Sequence, residues 1–150
     1  MKYQQQIIVR IPRKEFIDKF SDPENFPLWQ RGFLSFNQIS GELGSEGSTN
    51  LLKYRMNNRK IEMTETVLRN ELPEAFSATY EAKGVYNIQH NYFREINGNT
   101  EWTSESEFQF SGMMKIIGAL MPGAFKKQSS QFMKDFKAFA EDGTRVLKEG

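Results

Sequence analysis

The feature that most constrains this sequence is a series of short strand-like runs between residues 33 and 112, followed by one long amphipathic segment. The runs are about eight to twelve residues long, rich in β-branched and aromatic residues, and bounded by turn signals. Those signals are Gly41–Gly47, Asn57-Asn58, Leu72-Pro73-Glu74, Lys83-Gly84 and Asn97-Gly98-Asn99. Short connections of this kind join antiparallel neighbours. This region is therefore predicted to be an antiparallel meander of six strands.

A further strand and two short helices are predicted before the meander. The strand covers about Tyr3 to Arg10, and the first helix about Pro12 to Phe20, because proline is suited to a first helical turn. Asp22 can accept hydrogen bonds from the free N–H groups of the next turn, and Pro23 follows it. The second helix therefore begins at Asp22-Pro23 and ends by Gly32. The prediction is seven strands in all.

The C-terminal segment is predicted to be a long helix from Ala124 to about Asp142, preceded by a shorter helical segment that starts at Met113. Residues at three- and four-residue spacing form one stripe, which comprises Phe125, Ser129, Phe132, Met133, Phe136, Phe139 and Ala140. A helix of this length measures roughly 28 Å, enough to cross a strongly bent sheet. Gly143 is a natural residue to end the helix, and Thr144 to Gly150 is expected to fray.

Alternation along the strands predicts which residues face the helix. The inward residues are predicted to be Leu52, Tyr54, Met56, Ile61, Met63, Val67, Phe76, Ala78, Tyr80, Trp102, Phe108 and Phe110. Glu65 shares the parity of Met63, so it faces inward unless a bulge turns it to solvent. A buried carboxylate must be hydrogen-bonded or have a raised pKa. Both faces of the strand 85–96 mix polar and apolar residues, and its orientation stays open.

Composition excludes several classes of function. The length predicts one domain, 1–150. The 150 residues include 20 basic and 19 acidic residues without a long run of like charge, so nucleic acid is not an expected partner. There is no cysteine, and His90 is the only histidine. A nucleophilic triad and a transition-metal site both lack their usual residues. We therefore predict no catalytic residues, no metal and no cofactor.

The chain is also expected to lack any integral membrane association. Its longest apolar stretch, Met113 to Phe125, is interrupted by Lys115 and Pro122-Gly123. The polar N-terminus does not resemble the apolar core of a signal peptide, so a cytoplasmic protein is expected.

Three stretches carry a resemblance to a known superfamily. They are residues 21–29 (SDPENFPLW) in the short helices, the glycine-rich loop 41–48 (GELGSEGS) and residues 99–102 (NTEW) at the start of the last strand. With the order of elements, they resemble the Bet v 1/START-like superfamily, which includes the SRPBCC or polyketide cyclase/dehydrase-like proteins. The resemblance implies an α+β helix-grip fold, in which a curved antiparallel sheet surrounds a long C-terminal helix. It also implies a deep apolar pocket.

Members of this superfamily bind lipids, sterols or hormones, and a minority are enzymes. The resemblance and the aromatic content together favour a binding or transport protein for an apolar, lipid-like, aromatic or polyketide-like small molecule. The alternatives are a cyclase- or dehydratase-type enzyme and a chaperone co-regulator-like module that binds a protein. A monomer or homodimer is expected. The candidate ligand-binding residues are Trp29, Tyr54, Met63, Glu65, Tyr80, Trp102, Ser106, Phe108, Met121, Phe125, Phe132 and Phe136. Glu65 and Ser106 are the expected polar contacts.

Overall fold

The computed structural model describes residues 1–146. Its main feature is one seven-stranded sheet in the order β1-β7-β6-β5-β4-β3-β2. The strands are β1 Lys2–Val9, β2 Phe33–Ser40, β3 Thr49–Met56, β4 Arg59–Glu71, β5 Ala75–Ala82, β6 Val85–Ile96 and β7 Asn99–Phe110. Each strand pairs with its neighbours antiparallel. The predicted meander is confirmed, and β1 closes the sheet beside β7.

Four α-helices accompany the sheet among the described residues: α1 Arg13–Ser21, α2 Phe26–Trp29, α3 Met113–Leu120 and α4 Pro122–Asp142. Both predicted short helices follow β1. The second begins with a 3₁₀ turn at Pro23–Asn25, where Asp22 Oδ1 accepts a 3.0 Å hydrogen bond from the Glu24 amide. This is the cap that the Asp-Pro pair predicted. The α+β helix-grip prediction is confirmed.

The long helix α4 ends where the sequence predicted. Gly143 has a left-handed φ of 71°, and its amide donates a 2.9 Å hydrogen bond to the Phe139 carbonyl. A glycine reaches this conformation without steric penalty. After it the chain returns to α2, since the Val146 amide donates to the Leu28 carbonyl at 2.9 Å. The remainder of the predicted frayed tail, 147–150, lies outside the described residues.

The core is an aromatic cluster between α4, the short helices and β6–β7. Phe136 is completely buried, with its ring 4.7 Å from Phe16, 4.9 Å from Trp29 and 5.7 Å from Trp102. These centroid distances are those of favourable tilted and edge-to-face ring pairs. The predicted stripe of α4 thus faces the sheet. No helix within residues 1–146 has both the length and the apolar character needed to span a lipid bilayer.

Candidate functional site

The candidate site is a row of four polar residues across the concave face of the sheet. Asn50 lies directly opposite Glu65, Glu65 opposite Tyr80, and Tyr80 opposite Asn87, so the row crosses β3, β4, β5 and β6. Alternate residues of a strand share a face. Val67, two residues after Glu65 on the same strand, is buried. The row therefore lies on the same face of the sheet as Val67. Polar side chains thus line part of the face that covers the core.

The Glu65 carboxylate is the centre of this row. The Tyr80 hydroxyl donates a 2.8 Å hydrogen bond to Glu65 Oε2, and Asn50 Nδ2 donates a 3.0 Å bond to Oε1. Burial raises the pKa of Glu65, and the bonds from Tyr80 and Asn50 offset only part of that shift. The carboxyl group is therefore held by two donors and takes up a proton more readily than an exposed glutamate does.

The bulge that could have turned Glu65 outward lies farther along β4. The register between β4 and β5 is regular from Thr64 to Val67 and shifts between Val67 and Arg69. Leu68, the extra residue, is exposed. A bulge changes the facing of the residues after it. Glu65 precedes it and keeps its inward direction, as parity predicted.

Part of the row remains accessible. Glu65 and Tyr80 are only partly buried although they face inward, whereas Asn50 is 1% exposed. Within residues 1–146, the buried Asn50 Oδ1 has no hydrogen-bond partner. A buried polar atom is normally paired with protein or with water. The row thus combines fixed donors, an acceptor and exposed surface in one place.

Tyr54 extends the polar region towards α2. Its hydroxyl donates a 2.6 Å hydrogen bond to Gln30 Oε1, and both side chains are buried. Burial raises the pKa of Tyr54, with a further contribution from the negative charge of Glu65. The phenol therefore stays protonated and is a fixed donor to Gln30.

An aromatic group lies beyond the other end of the row. Asn87 is opposite Phe108 in the register of β6 and β7. The Phe125 ring, on the first turns of α4, lies 5.1 Å from the Phe108 ring and 4.9 Å from that of Phe110. The Tyr3 hydroxyl donates a 3.1 Å bond to the Phe125 carbonyl. The concave face thus has a polar row and a separate aromatic group beside it.

Comparisons with known proteins identify the fold of this chain. No protein-family model and no curated protein sequence matches the chain. Solved structures do match. A conserved protein from Geobacillus kaustophilus aligns with a TM-score of 0.77 at 18% identity, over 93% of this chain and 95% of that one. The allergen-type protein Ara h 8.0201 aligns with a TM-score of 0.72 at 10% identity, over 93% and 97% of the two chains.

The chain has the Bet v 1-like fold. A third structure, of a protein from Staphylococcus saprophyticus, aligns over 99% of this chain and 98% of that one, with a TM-score of 0.67 at 20% identity. Identities this low establish the Bet v 1-like fold and no particular activity.

Within the Bet v 1-like fold, the predicted ligand residues separate into four groups by burial and position. Trp29, Trp102 and Phe136 are packed together and fully buried, so their rings fill the core and expose no surface in this conformation. The inward residues Met63, Glu65, Tyr80, Phe108, Phe125 and Phe132 are partly buried. Ser106 and Tyr54 are inward and buried. Met121 is 56% exposed and lies at the junction of α3 and α4, apart from the core cluster.

The sequence reasoning missed the asparagines of this site. Asn50 shares the parity of Leu52 and Tyr54, and that signal could have placed it inward. Asn87 and Asn91 face inward on β6, the strand whose orientation the sequence left open. Asn91 Oδ1 accepts a 3.0 Å hydrogen bond from the indole of Trp102, so it satisfies the polar edge of a core residue.

His90 lies on the opposite face of the sheet. It alternates with Gln89 and Asn91, and its Nδ1 is 2.8 Å from the Ser77 hydroxyl of the neighbouring strand. The imidazole is therefore separated from Glu65 by the sheet itself. This position agrees with a hydrogen-bonded strand histidine.

Proposed function

We propose that this protein binds a small organic molecule with one polar end and one apolar end on the concave face of its sheet. The polar end is received by Glu65 and Tyr80, and Asn50 holds the Glu65 carboxylate from beneath. The apolar end lies against Met63 and the aromatic group of Phe108, Phe110 and Phe125. The observation that carries the proposal is the polar row itself: inward-facing, hydrogen-bonded and still partly exposed.

The chemistry of the row suits a ligand that both donates and accepts hydrogen bonds. When ionised, Glu65 accepts a bond from a ligand hydroxyl or amide. When protonated, which its raised pKa favours, it donates to a carbonyl. Asn50 is itself 1% exposed, and its part is to hold the Glu65 carboxylate through Nδ2. A few fixed polar groups beside apolar surface are typical of small-molecule sites.

The spacing of the strands supports a particular ligand length. Glu65 is on β4 and Phe108 is on β7, with β5 and β6 between them. Three inter-strand steps span roughly 14 Å. A molecule of about this length reaches both ends, whereas a shorter apolar probe contacts only the aromatic group. The ligand class is therefore amphiphilic and elongated, such as a fatty acid or a hydroxylated polycyclic compound.

Organic extraction of the purified protein, followed by mass spectrometry, is the first test. Native mass spectrometry then shows whether the extracted compound restores a one-to-one complex. Glu65→Gln and Tyr80→Phe are expected to weaken binding of compounds with a hydroxyl or carboxyl group by about tenfold, the equivalent of one lost polar contact. Tyr92→Phe, an exposed tyrosine of β6, is the matched control.

A blocking variant tests the location. Met63→Trp adds volume on the concave face and is expected to abolish binding. Leu68→Trp adds the same indole to the exposed bulge of the same strand and leaves binding intact. A ligand that binds Met63→Trp and wild-type protein equally well contradicts the proposed site. Absence of any extracted compound, together with no thermal stabilisation by fatty acids or polycyclic probes, contradicts the proposed function.

A further inference from the structure

The helix α3 presents its apolar side chains to solvent. Met113 is 74% exposed, Ile116 57% and Leu120 76%, and Ile117 is also exposed. An ordinary surface helix turns such residues towards the core. Clustered exposed apolar residues of this kind mark a surface that meets a membrane or another molecule.

The opposite side of α3 explains this orientation. Gly118 is buried, and a Cβ at this position would lie 2.8 Å from the Phe110 ring. Met114, one turn earlier on the same side, lies against Gly84 of the β5–β6 turn. Small size at Gly118 lets the helix backbone lie directly on Phe110. The helix is therefore attached to the end of the sheet by Met114 and Gly118, with its other apolar residues outward.

Lysines lie within and after the segment that carries the apolar ridge, which is formed by Met113, Ile116, Ile117 and Leu120. Residues 108–134 contain four lysines, Lys115, Lys126, Lys127 and Lys134, and no aspartate or glutamate. The last three line an open groove of about 380 Å³ with Gln5 and Gln131. Gly123, at the first turn of α4 and two residues after Met121, also lines this groove. The apolar ridge and the lysine groove are thus continuous along the chain.

We propose that α3 and the lysine groove dock this protein on an anionic lipid bilayer. Met113, Ile116 and Leu120 enter the boundary between headgroups and acyl chains, and the lysines contact headgroup phosphates. An exposed apolar ridge with flanking lysines is the composition of interfacial helices. Each basic side chain near the surface adds attraction to anionic lipids, and salt weakens that attraction. This inference does not rest on the proposed ligand.

A second copy of the chain fits this ridge less well than an anionic bilayer does. A two-fold contact through α3 brings the same surface of both copies together. Lysines of one copy then approach lysines of the other, and residues 108–134 supply no carboxylate to pair with them. The acids that flank this segment already pair within the chain, Glu107 with Lys2 at 3.6 Å and Asp135 with Arg31 at 2.7 Å. An anionic bilayer satisfies both the apolar and the charged parts.

The test is vesicle flotation with wild-type protein. We expect binding to phosphatidylcholine vesicles that contain about 30% phosphatidylglycerol, none to pure phosphatidylcholine, and release in about 0.5 M NaCl. Ile116→Ser combined with Leu120→Ser is expected to reduce binding at least about tenfold. The matched control is Ile39→Ser combined with Leu43→Ser, which changes two exposed apolar residues on and after β2.

The lysines and the depth of insertion are tested separately. Lys126→Gln with Lys127→Gln is expected to weaken binding, whereas Lys14→Gln with Arg69→Gln, which lowers the net charge equally elsewhere, leaves it nearly unchanged. In Leu120→Trp, brominated lipids are expected to quench the new indole, and in Leu43→Trp they do not. Melting temperatures of all variants confirm folding.

Three results overturn the proposal. The first is wild-type protein that remains unbound to anionic vesicles at low salt. The second is equal binding by the α3 variant and its β2 control. The third is concentration-dependent dimerisation of wild-type protein that Ile116→Ser with Leu120→Ser abolishes, without vesicle binding, which identifies a second copy as the occupant.

Discussion

The Tyr80 hydroxyl donates a 2.8 Å hydrogen bond to Glu65 Oε2 across the pairing of β5 with β4. The two residues are direct cross-strand neighbours, so the sheet register fixes their contact. Burial raises the pKa of Tyr80, and the charge of Glu65 and the bond to it raise it further. The phenol therefore remains a donor, and the Glu65 carboxyl group is the member of the pair that titrates.

Tyr80→Phe removes that donor and keeps the ring. Hydrogen bonds to charged groups contribute about 1.5 to 3 kcal/mol. We expect the free energy of unfolding to fall by about this amount at pH values above the titration of Glu65, where its carboxylate is ionised, and the pKa of Glu65 to rise. Urea denaturation measures the first effect, and the carboxyl carbon shift in NMR titration measures the second. Tyr92→Phe on the exposed face is the control, and equal losses in the two variants would count against the pair.

Glu65 makes stability depend on pH with a definite sign. Its pKa is raised in the folded protein by burial, so between the usual glutamate value of about 4.3 and the raised value the folded state binds more protons than the unfolded state. Stability is therefore highest below this window and falls as pH rises through it. Glu65→Gln is expected to flatten this part of the profile in urea denaturation. Parallel profiles for the two proteins would contradict the raised pKa.

Glu141 changes stability with pH in the direction opposite to Glu65. Burial by itself raises its pKa, but the bonds from Lys137 and from the Arg10 amide and guanidinium outweigh it, and the net pKa is lowered. The unfolded state then binds more protons as pH falls, so this contribution exists above the usual glutamate pKa and is lost in acid.

We expect Glu141→Gln to be less stable than wild type at pH 7 and to approach wild type as pH falls below the usual glutamate pKa and through the lowered pKa of Glu141. Glu95→Gln, an exposed carboxylate of β6, provides the control. Thermal unfolding across this range is the measurement. A difference between wild type and Glu141→Gln that stays constant with pH would show that the effect is not electrostatic.

The sequence predicted the fold because strong local signals agreed with one another. Turn residues marked the hairpins, parity placed Glu65 and Trp102 inward, and Gly143 marked the end of α4. Each of these depends on neighbours in the chain. Consistency between local preferences and the global fold is what makes such inference possible.

The composition of the site could not be predicted in the same way. That Asn50, Glu65, Tyr80 and Asn87 form one row depends on the register of three strand pairs. Parity gives a face but not a cross-strand partner. Likewise, the aromatic residues that fill the core and those that line the candidate site follow the same spacing in the sequence. Only packing reveals that Phe136 is enclosed by other rings while Phe132, one turn away, keeps exposed surface.

This difference between two rings on α4 gives the last prediction. Phe136 is completely buried among Phe16, Trp29 and Trp102, so Phe136→Ala leaves a cavity and is expected to cost about 3 to 5 kcal/mol of unfolding free energy. The Phe132 ring contacts Trp29 at 4.7 Å but is only partly buried, so water can fill part of the space left by Phe132→Ala. The loss of unfolding free energy in Phe132→Ala is expected to be smaller than that in Phe136→Ala by at least about 1 kcal/mol.

Leu120→Ala, at a highly exposed position of α3, calibrates the measurement and is expected to change stability by less than about 0.5 kcal/mol. The stability of Phe132→Ala with and without ligand then tests whether Phe132 has a role in binding. If a ligand found by extraction raises the melting temperature of wild type more than that of Phe132→Ala, the Phe132 ring contacts the ligand. Equal large losses at both positions, with no ligand effect, would place Phe132 in the core beside Phe136 and restrict the site to the polar row and the Phe108 group.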